Sequence, residues 1–237
     1  MSGLPKVETL KHRLKLPSSG ETIEYRPYLV KEEKILMLAL ESNDNSDMID
    51  AVKRVIESCT NGTLNEKNMT MFDLEYFFTN LRAKSVGETS EINSSCPKCG
   101  EYSSVEVNLN DIEIDVPQNK DHYIRSIDDN IKVRMSYPSI GKTLELIDEN
   151  KSDVDLAYEL IVASIAEIYS GDEVYDASNH TKQELMDFID SLSSTQFEDI
   201  KSFVEDSPTV TVAYHHNCQS CGYDGQNTLS GFANFFG

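Results

Sequence analysis

Four cysteines in two identically spaced pairs are the residues of this chain best suited to chemistry. Cys96-Pro97-Lys98-Cys99-Gly100 and Cys218-Gln219-Ser220-Cys221-Gly222 each set two thiols three positions apart and follow them with a glycine. Two intervening residues let both sulfurs of a pair reach one ion, and the glycine accepts the positive φ of the tight turn this requires. Together the pairs supply four thiolates, the complete tetrahedral shell of a closed structural Zn²⁺ site. In zinc ribbons the two pairs are commonly ~15–20 residues apart, whereas Cys99 and Cys218 are 119 positions apart. The spacing predicts one structural zinc, held by Cys96, Cys99, Cys218 and Cys221, in a ribbon whose halves are separated by an inserted segment.

Other uses of the same residues fit less well. Two independent redox motifs are disfavoured because neither pair sits between a strand and a long helix, as a thioredoxin-type motif does. Disulfides are disfavoured by the odd count of five cysteines and by a start, Met1 to Lys6, without the apolar core of a secretion signal. The fifth, Cys59, follows Val55 and Ile56 near the end of a predicted helix and reads as a small buried apolar residue. Of five histidines, only His215 and His216 adjoin a knuckle. Either could replace a cysteine or donate to a sulfur from outside the shell, but four thiolates already fill the tetrahedron. A filled shell leaves no open position for a catalytic zinc, and the chain has no Gly-x-Ser-x-Gly elbow and no His-Glu-x-x-His. Ile140-Gly141-Lys142-Thr143 resembles the end of a phosphate-binding loop, but Ser136 stands where that loop needs its first glycine. The expectation is a protein without catalytic residues and without a small-molecule substrate, a metal-dependent enzyme being the weaker alternative.

Composition narrows the partners. The 237 residues are 39% hydrophobic, enough for a core, and no apolar run approaches the ~20 residues of a membrane span. The net charge of −20 speaks against phosphate binding and so against the alternative of a nucleic-acid or transcription-associated zinc ribbon. An acidic surface either keeps the protein solvated or meets a basic partner protein.

The elements that must position the cysteines make an α+β chain. Thr9–Leu16 and Glu21–Tyr25 flank the turn Pro17-Ser18-Ser19-Gly20 and predict a hairpin. Lys31–Glu41 is built of strong helix formers with an apolar run, Ile35–Leu40, that predicts burial on more than one side. A second helix is predicted over about 47–59, and a third, capped by Thr70 and rich in aromatics, over 71–85. Residues 101–116 alternate as one or two strands, with a phase change at Asn110-Asp111, and a further hairpin surrounds Asp128-Asp129-Asn130. Asp153 opens a long apolar helix through Ile165 and Ile168. Thr181-Lys182-Gln183-Glu184 is a capping box, a further helix follows to Val204, and Thr209–His215 is the clearest strand. The predicted layout is an N-terminal hairpin and helical module over 1–90 and a split zinc-ribbon-like β module. That module's first half with β hairpins covers 91–138, the helical insertion 139–207, and the second half with an aromatic tail 208–237. Phe232, Phe235 and Phe236 crowd the last six residues, where chains are usually polar. They predict either a return into the core or a handle for a partner.

At the N-terminus the sequence becomes specific. Leu4-Pro5-Lys6, Leu16-Pro17-Ser18-Ser19-Gly20, Tyr25-Arg26-Pro27-Tyr28-Leu29-Val30-Lys31-Glu32-Glu33-Lys34 and Leu38-Ala39-Leu40-Glu41-Ser42 resemble the opening of the baseplate hub assembly proteins of T4-type contractile-tailed bacteriophages. The resemblance continues through the Cys96/Cys99 knuckle to the phenylalanine-rich end and so covers most of the chain. It implies a late viral protein needed to build the central hub of the tail baseplate, as a chaperone-like assembly factor or as a hub component. Its partners would be other hub or hub-assembly proteins, and it would act in the host cytoplasm during assembly or in the virion tail baseplate. The family offers no catalytic residues to carry over.

Overall fold

A computed structural model of the chain describes residues 9–42, 45–64, 69–146 and 151–230. The chain is mixed α and β and divides into two compact units. The first comprises residues up to 65 together with 72–114 and 209 onward, and the second comprises 66–71 and 115–208.

The first unit begins with strands β1 (His12–Lys15) and β2 (Thr22–Tyr25), paired antiparallel so that Leu14 opposes Ile23. Helices α1 (Val30–Ser42), α2 (Asn45–Thr60) and α3 (Met71–Ser85) follow. In α3 Phe72, Leu74, Phe77, Phe78, Leu81 and Ala83 are all buried, so its aromatics form core rather than a free face. Phe77 packs edge-on against Tyr25 of β2, with ring centroids 5.1 Å apart. Asp73 also points inward and holds the first turn, accepting from the Ser18 backbone N–H at 3.0 Å and the Ser18 hydroxyl at 2.5 Å.

Helix α1 departs from expectation. Only Glu32, Leu36 and Ala39, a stripe at spacings of four and three, are buried, while Met37 and Leu38 are 58% and 57% exposed. Among the described residues α2 is the main packing neighbour of this helix, and one neighbour covers one stripe of a helix. The apolar run is not buried all round.

Two hairpins complete the unit. β3 (Thr89–Ser95) pairs with β4 (Tyr102–Asn108) over seven residues, and β10 (Thr211–Asn217) pairs with β11 (Asp224–Ser230) over seven more. After β4 a single 3₁₀ turn at Leu109–Asp111, where the sequence changes phase, sets β5 (Ile112–Glu113) against the start of β10. Inward-facing Ile92, Val105, Val107, Leu109, Val210, Val212 and Tyr214 form one core with Ala83 of α3.

The second unit is a four-stranded antiparallel sheet in the order β6 (Ile124–Ser126), β7 (Ile131–Met135), β8 (Ile165–Ser170), β9 (Glu173–Asp176). It is covered by helices α4 (Ile140–Leu146), α5 (Asp153–Ala163), α6 (Lys182–Asp190) and α7 (Ser194–Glu205). Val133, Met135, Ile161, Ile165, Leu185, Ile189, Ile200 and Phe203 are among its buried core. The long helix expected through Ile168 stops at Ala163. There the Ser164 hydroxyl folds back onto the Leu160 carbonyl at 2.8 Å, and the Ser164 carbonyl instead takes the N–H of Ser136 at 2.7 Å, starting the sheet. Ile165 and Ile168 therefore sit on a strand. The capping boxes of α6 (Thr181 with Glu184) and α7 (Ser193 with Gln196) are both formed. Among the described residues no helix is long and apolar enough to cross a membrane.

Candidate metal centre

Each knuckle is the turn of one hairpin, and the two turns are alike residue for residue. In the first, Cys96 N–H donates to the Glu101 carbonyl at 2.8 Å and Gly100 N–H to the Cys96 carbonyl at 2.8 Å. In the second, Cys218 N–H donates to Tyr223 at 2.8 Å and Gly222 N–H to Cys218 at 3.0 Å. Gly100 and Gly222 have φ of 76° and 67°, the left-handed backbone that a side chain would strain. In both knuckles the first cysteine ends its strand and is buried, at 2% exposure. The second lies on the turn nearer solvent.

The hairpins bring all four sulfurs within 4.8 Å of one another. Cys96 Sγ is 3.7 Å from Cys221 Sγ, and Cys99 Sγ is 3.7 Å from Cys218 Sγ, each pair taking one residue from each hairpin. A disulfide needs ~2.05 Å, so these are not bonded pairs. Four sulfurs at about 2.3 Å from a central zinc would stand about 3.8 Å apart along a tetrahedral edge, and the observed separations fit that ion. The donor set is electrostatically prepared for a cation. Burial raises the Cys96 thiol, but the backbone N–H groups of Cys99 and Lys98 outweigh it and hold the group down to about 7. Cys99 is favoured as thiolate by the Glu101 N–H, yet the neighbouring sulfurs of Cys221 and Cys218 push it up to about 12. One thiolate in the cluster thus disfavours ionisation of its neighbour.

Of the two histidines beside the second knuckle, neither joins the sulfur cluster. His215 is exposed and its Nε2 meets Asp224 Oδ1 at 2.9 Å. His216 is fully buried, with Nε2 3.4 Å from the Ser103 hydroxyl and Nδ1 without a partner among the described residues. It packs between the hairpins with Tyr214 and Tyr223. Beside it the Tyr214 hydroxyl bonds the Ser94 hydroxyl and receives Asn227 Nδ2 at 3.4 Å, so the two hairpins also meet through polar contacts. Cys59 is buried as expected, at 1% exposure. Phe232, Phe235 and Phe236 lie outside the described residues.

A buried ion pair explains part of the distinctive N-terminal run. Arg26 Nη2 donates to Glu32 Oε1 at 2.8 Å, and Glu32, 2% exposed, also accepts from the Leu29 N–H and the Ser58 hydroxyl, each at 2.8 Å. Arg26 reaches the Pro27 carbonyl at 2.9 Å and the Ser58 hydroxyl at 3.1 Å, while its own N–H donates to the Cys59 carbonyl at 3.0 Å. One node thereby fastens the end of β2, the first turn of α1 and the last turn of α2. Burial raises Glu32, but Arg26, the Leu29 N–H, Ser58 and Lys31 outweigh it and hold the carboxyl down to about 2. The sequence signalled this only as an early acidic residue in a helix.

Fold and cysteine cluster together define an α+β protein with a zinc-ribbon-like four-thiol module divided by a second compact unit. The profile of the family described as T4 bacteriophage base plate protein matches residues 9–237, and the chain belongs to that family. It is similar to the baseplate hub assembly protein gp26 of Enterobacteria phage T4, with 26% identity over 217 residues, 92% of this chain and 93% of that protein. No solved structure matches the chain.

Proposed function

We propose that this chain is a non-enzymatic factor in assembly of the phage tail baseplate hub, acting by binding other hub or hub-assembly proteins. Near end-to-end similarity to a hub assembly protein carries the reading. A chaperone-like factor that prepares the hub is favoured over a permanent component, and the site of action is the host cytoplasm during assembly. The acidic charge of −20 supports protein rather than nucleic-acid partners. One structural Zn²⁺ is held by Cys96, Cys99, Cys218 and Cys221, supported by the 3.7 Å sulfur separations. Bound there, zinc supplies no reaction chemistry. It cross-links two hairpins and leaves no coordination position for a substrate.

The test is complementation. A phage lacking this gene product should fail to form baseplate hubs and regain them when the chain is supplied in trans. Mass spectrometry of purified virions then separates the two roles: absence of the chain from infectious particles marks the chaperone, and a fixed copy number marks a component. Normal hubs in its absence would refute the assembly reading.

A further inference from the structure

The second unit carries a groove that nothing described so far uses. It opens between the sheet and α6, encloses about 290 Å³, and is walled by Ile131, Ile168, Tyr175, Leu185 and Phe188. It lies beside β9, the last strand of its sheet, all of whose residues are exposed, and Tyr175, at 40%, is the residue of that strand that faces the groove. Exposed apolar residues gathered at a concave edge are the common signature of a site for another chain.

Charge indicates which chain. Residues 115–208 hold 21 acidic and 8 basic residues, −13 of the protein's −20. Five of those basic residues, Arg125, Arg134, Lys151, Lys182 and Lys201, are already paired with carboxylates of the same unit. At the groove the imbalance is sharper. The β6–β7 turn, with exposed Asp128 and Asp129, lies against the β8–β9 turn, with exposed Asp172 and Glu173, through Gly171 N–H to the Asn130 carbonyl at 3.0 Å. Exposed Glu184 in the lining and Asp187 one turn further along α6 extend the acidic rim. No lysine or arginine lines the groove. Lys132, adjacent to Ile131, turns to the other face of the sheet beside Tyr169, and Lys182 is held by Glu159 at 2.6 Å.

The geometry points to this groove as a docking site for a partner polypeptide segment that presents one apolar or aromatic side chain flanked by lysine or arginine. The apolar side chain fills the space between Ile168 and Phe188, and the flanking cations meet the carboxylates of the two turns and of α6. The inference rests on the reading of this chain as a protein-binding assembly factor and adds to it a surface and a ligand chemistry.

The probe is a capped heptapeptide, Lys-Arg-Ala-Phe-Ala-Lys-Arg, titrated into the ¹⁵N-labelled full chain at low salt. Expected are shifts confined to the amides of β8, β9 and α6. Affinity should fall at least ten-fold when the peptide's phenylalanine becomes alanine or its four cations become glutamates. The same loss is expected for the Asp172→Lys/Glu173→Lys chain and for the Ser170→Phe chain, whose added ring occupies the groove. Should Ser170→Phe unfold the unit, Asp172→Lys alone, in the exposed turn before β9, carries the comparison. No localised shifts at millimolar peptide, or equal binding by all three peptides, overturns the proposal. So does equal binding by N-acetylphenylalanine amide, which makes the groove a small-molecule pocket. The titration requires no phage, so a chain that binds the peptide but is dispensable for hubs refutes only the assembly reading.

Discussion

The sulfurs of Cys99 and Cys218 lie 3.7 Å apart although the residues are 119 positions apart in sequence. Between them the chain leaves the first unit, builds nearly all of the second, and returns. Closing so long a loop costs conformational entropy that grows only slowly with length, and a cation held at its base would offset that cost by binding the folded chain and not the unfolded one. The four thiols therefore sit where the two ends of that long excursion meet.

Purified protein should contain one zinc per chain by elemental analysis, with four thiols protected until a chelator is added under denaturing conditions. Structural zinc sites have apparent binding free energies of about 10–16 kcal/mol. Replacing Cys99 or Cys221 by serine should accordingly cost several kcal/mol and lower the melting temperature of the first unit. Equal melting of variant and zinc-loaded parent would rule out a metal clamp.

Arg26→Ala should destabilise the chain by about 3–5 kcal/mol, because it strands the buried Glu32 carboxylate. Glu32 has a folded pKa of about 2, below its ordinary 4.5. A depressed carboxyl contributes stability that is present above pH ~4.5 and is lost as pH falls toward 2. Chemical denaturation against pH should show that acid limb in the parent and a flatter one in Glu32→Gln. Parallel curves would mean Glu32 is not the group responsible.

Glu75 behaves in the opposite sense. It is 8% exposed, its Oε2 accepts from Val210 N–H at 3.2 Å, and its Oε1 has no partner among the described residues. Burial raises its pKa despite the Val210 bond. A raised group contributes stability present below its unfolded pKa and lost as pH rises through the folded one. Glu75→Gln, isosteric and uncharged, should match the parent near pH 4 and exceed it in stability at pH 8. A less stable glutamine variant at pH 8 would contradict this.

Truncation after Ser230 tests Phe232, Phe235 and Phe236. If the tail is a handle for a partner, the shortened chain should melt like the parent yet complement hub assembly at least ten-fold less well. Full complementation would show these aromatics to be incidental.

The clustering of the four cysteines was legible because a repeated pattern, Cys-x-x-Cys-Gly written twice, survives any distance between the copies. The capping box at Thr181 and the phase change at Asn110-Asp111 were legible for the same reason, since each is a local rule. The start of α7 instead reads one or two residues late, at Ser194 or Thr195, because Ser193, Ser194 and Thr195 are all capable caps. What escaped depended on neighbours. Ile165 and Ile168 fit a helix by spacing, and only the pairing of Ser164 with Ser136 turns them into a strand. β3, Thr89-Ser90-Glu91-Ile92-Asn93-Ser94-Ser95, and β11, Asp224-Gly225-Gln226-Asn227-Thr228-Leu229-Ser230, are poor in apolar residues. They become strands because their partners, β4 and β10, bring the strand character. The pairing of Arg26 with Glu32 gave no signal in the sequence because their burial comes from α2, which follows them in the chain.

The division of the first unit has a consequence for the order in which the protein can be made. Val210, Val212 and Tyr214 complete the core begun by Ile92, Val105 and Val107, and Cys218 and Cys221 complete the cluster begun by Cys96 and Cys99. At synthesis rates of about 5–20 residues per second, Cys221 follows Cys99 by roughly 6–25 s. Through that interval the nascent polypeptide carries a half-made hairpin pair with two unpartnered thiols, while the whole of the second unit emerges. A ribosome that stops short of Thr211 releases a product without β10 and β11, and so without the partner strand of β5. The first unit can therefore be completed only after the whole of the second has been made.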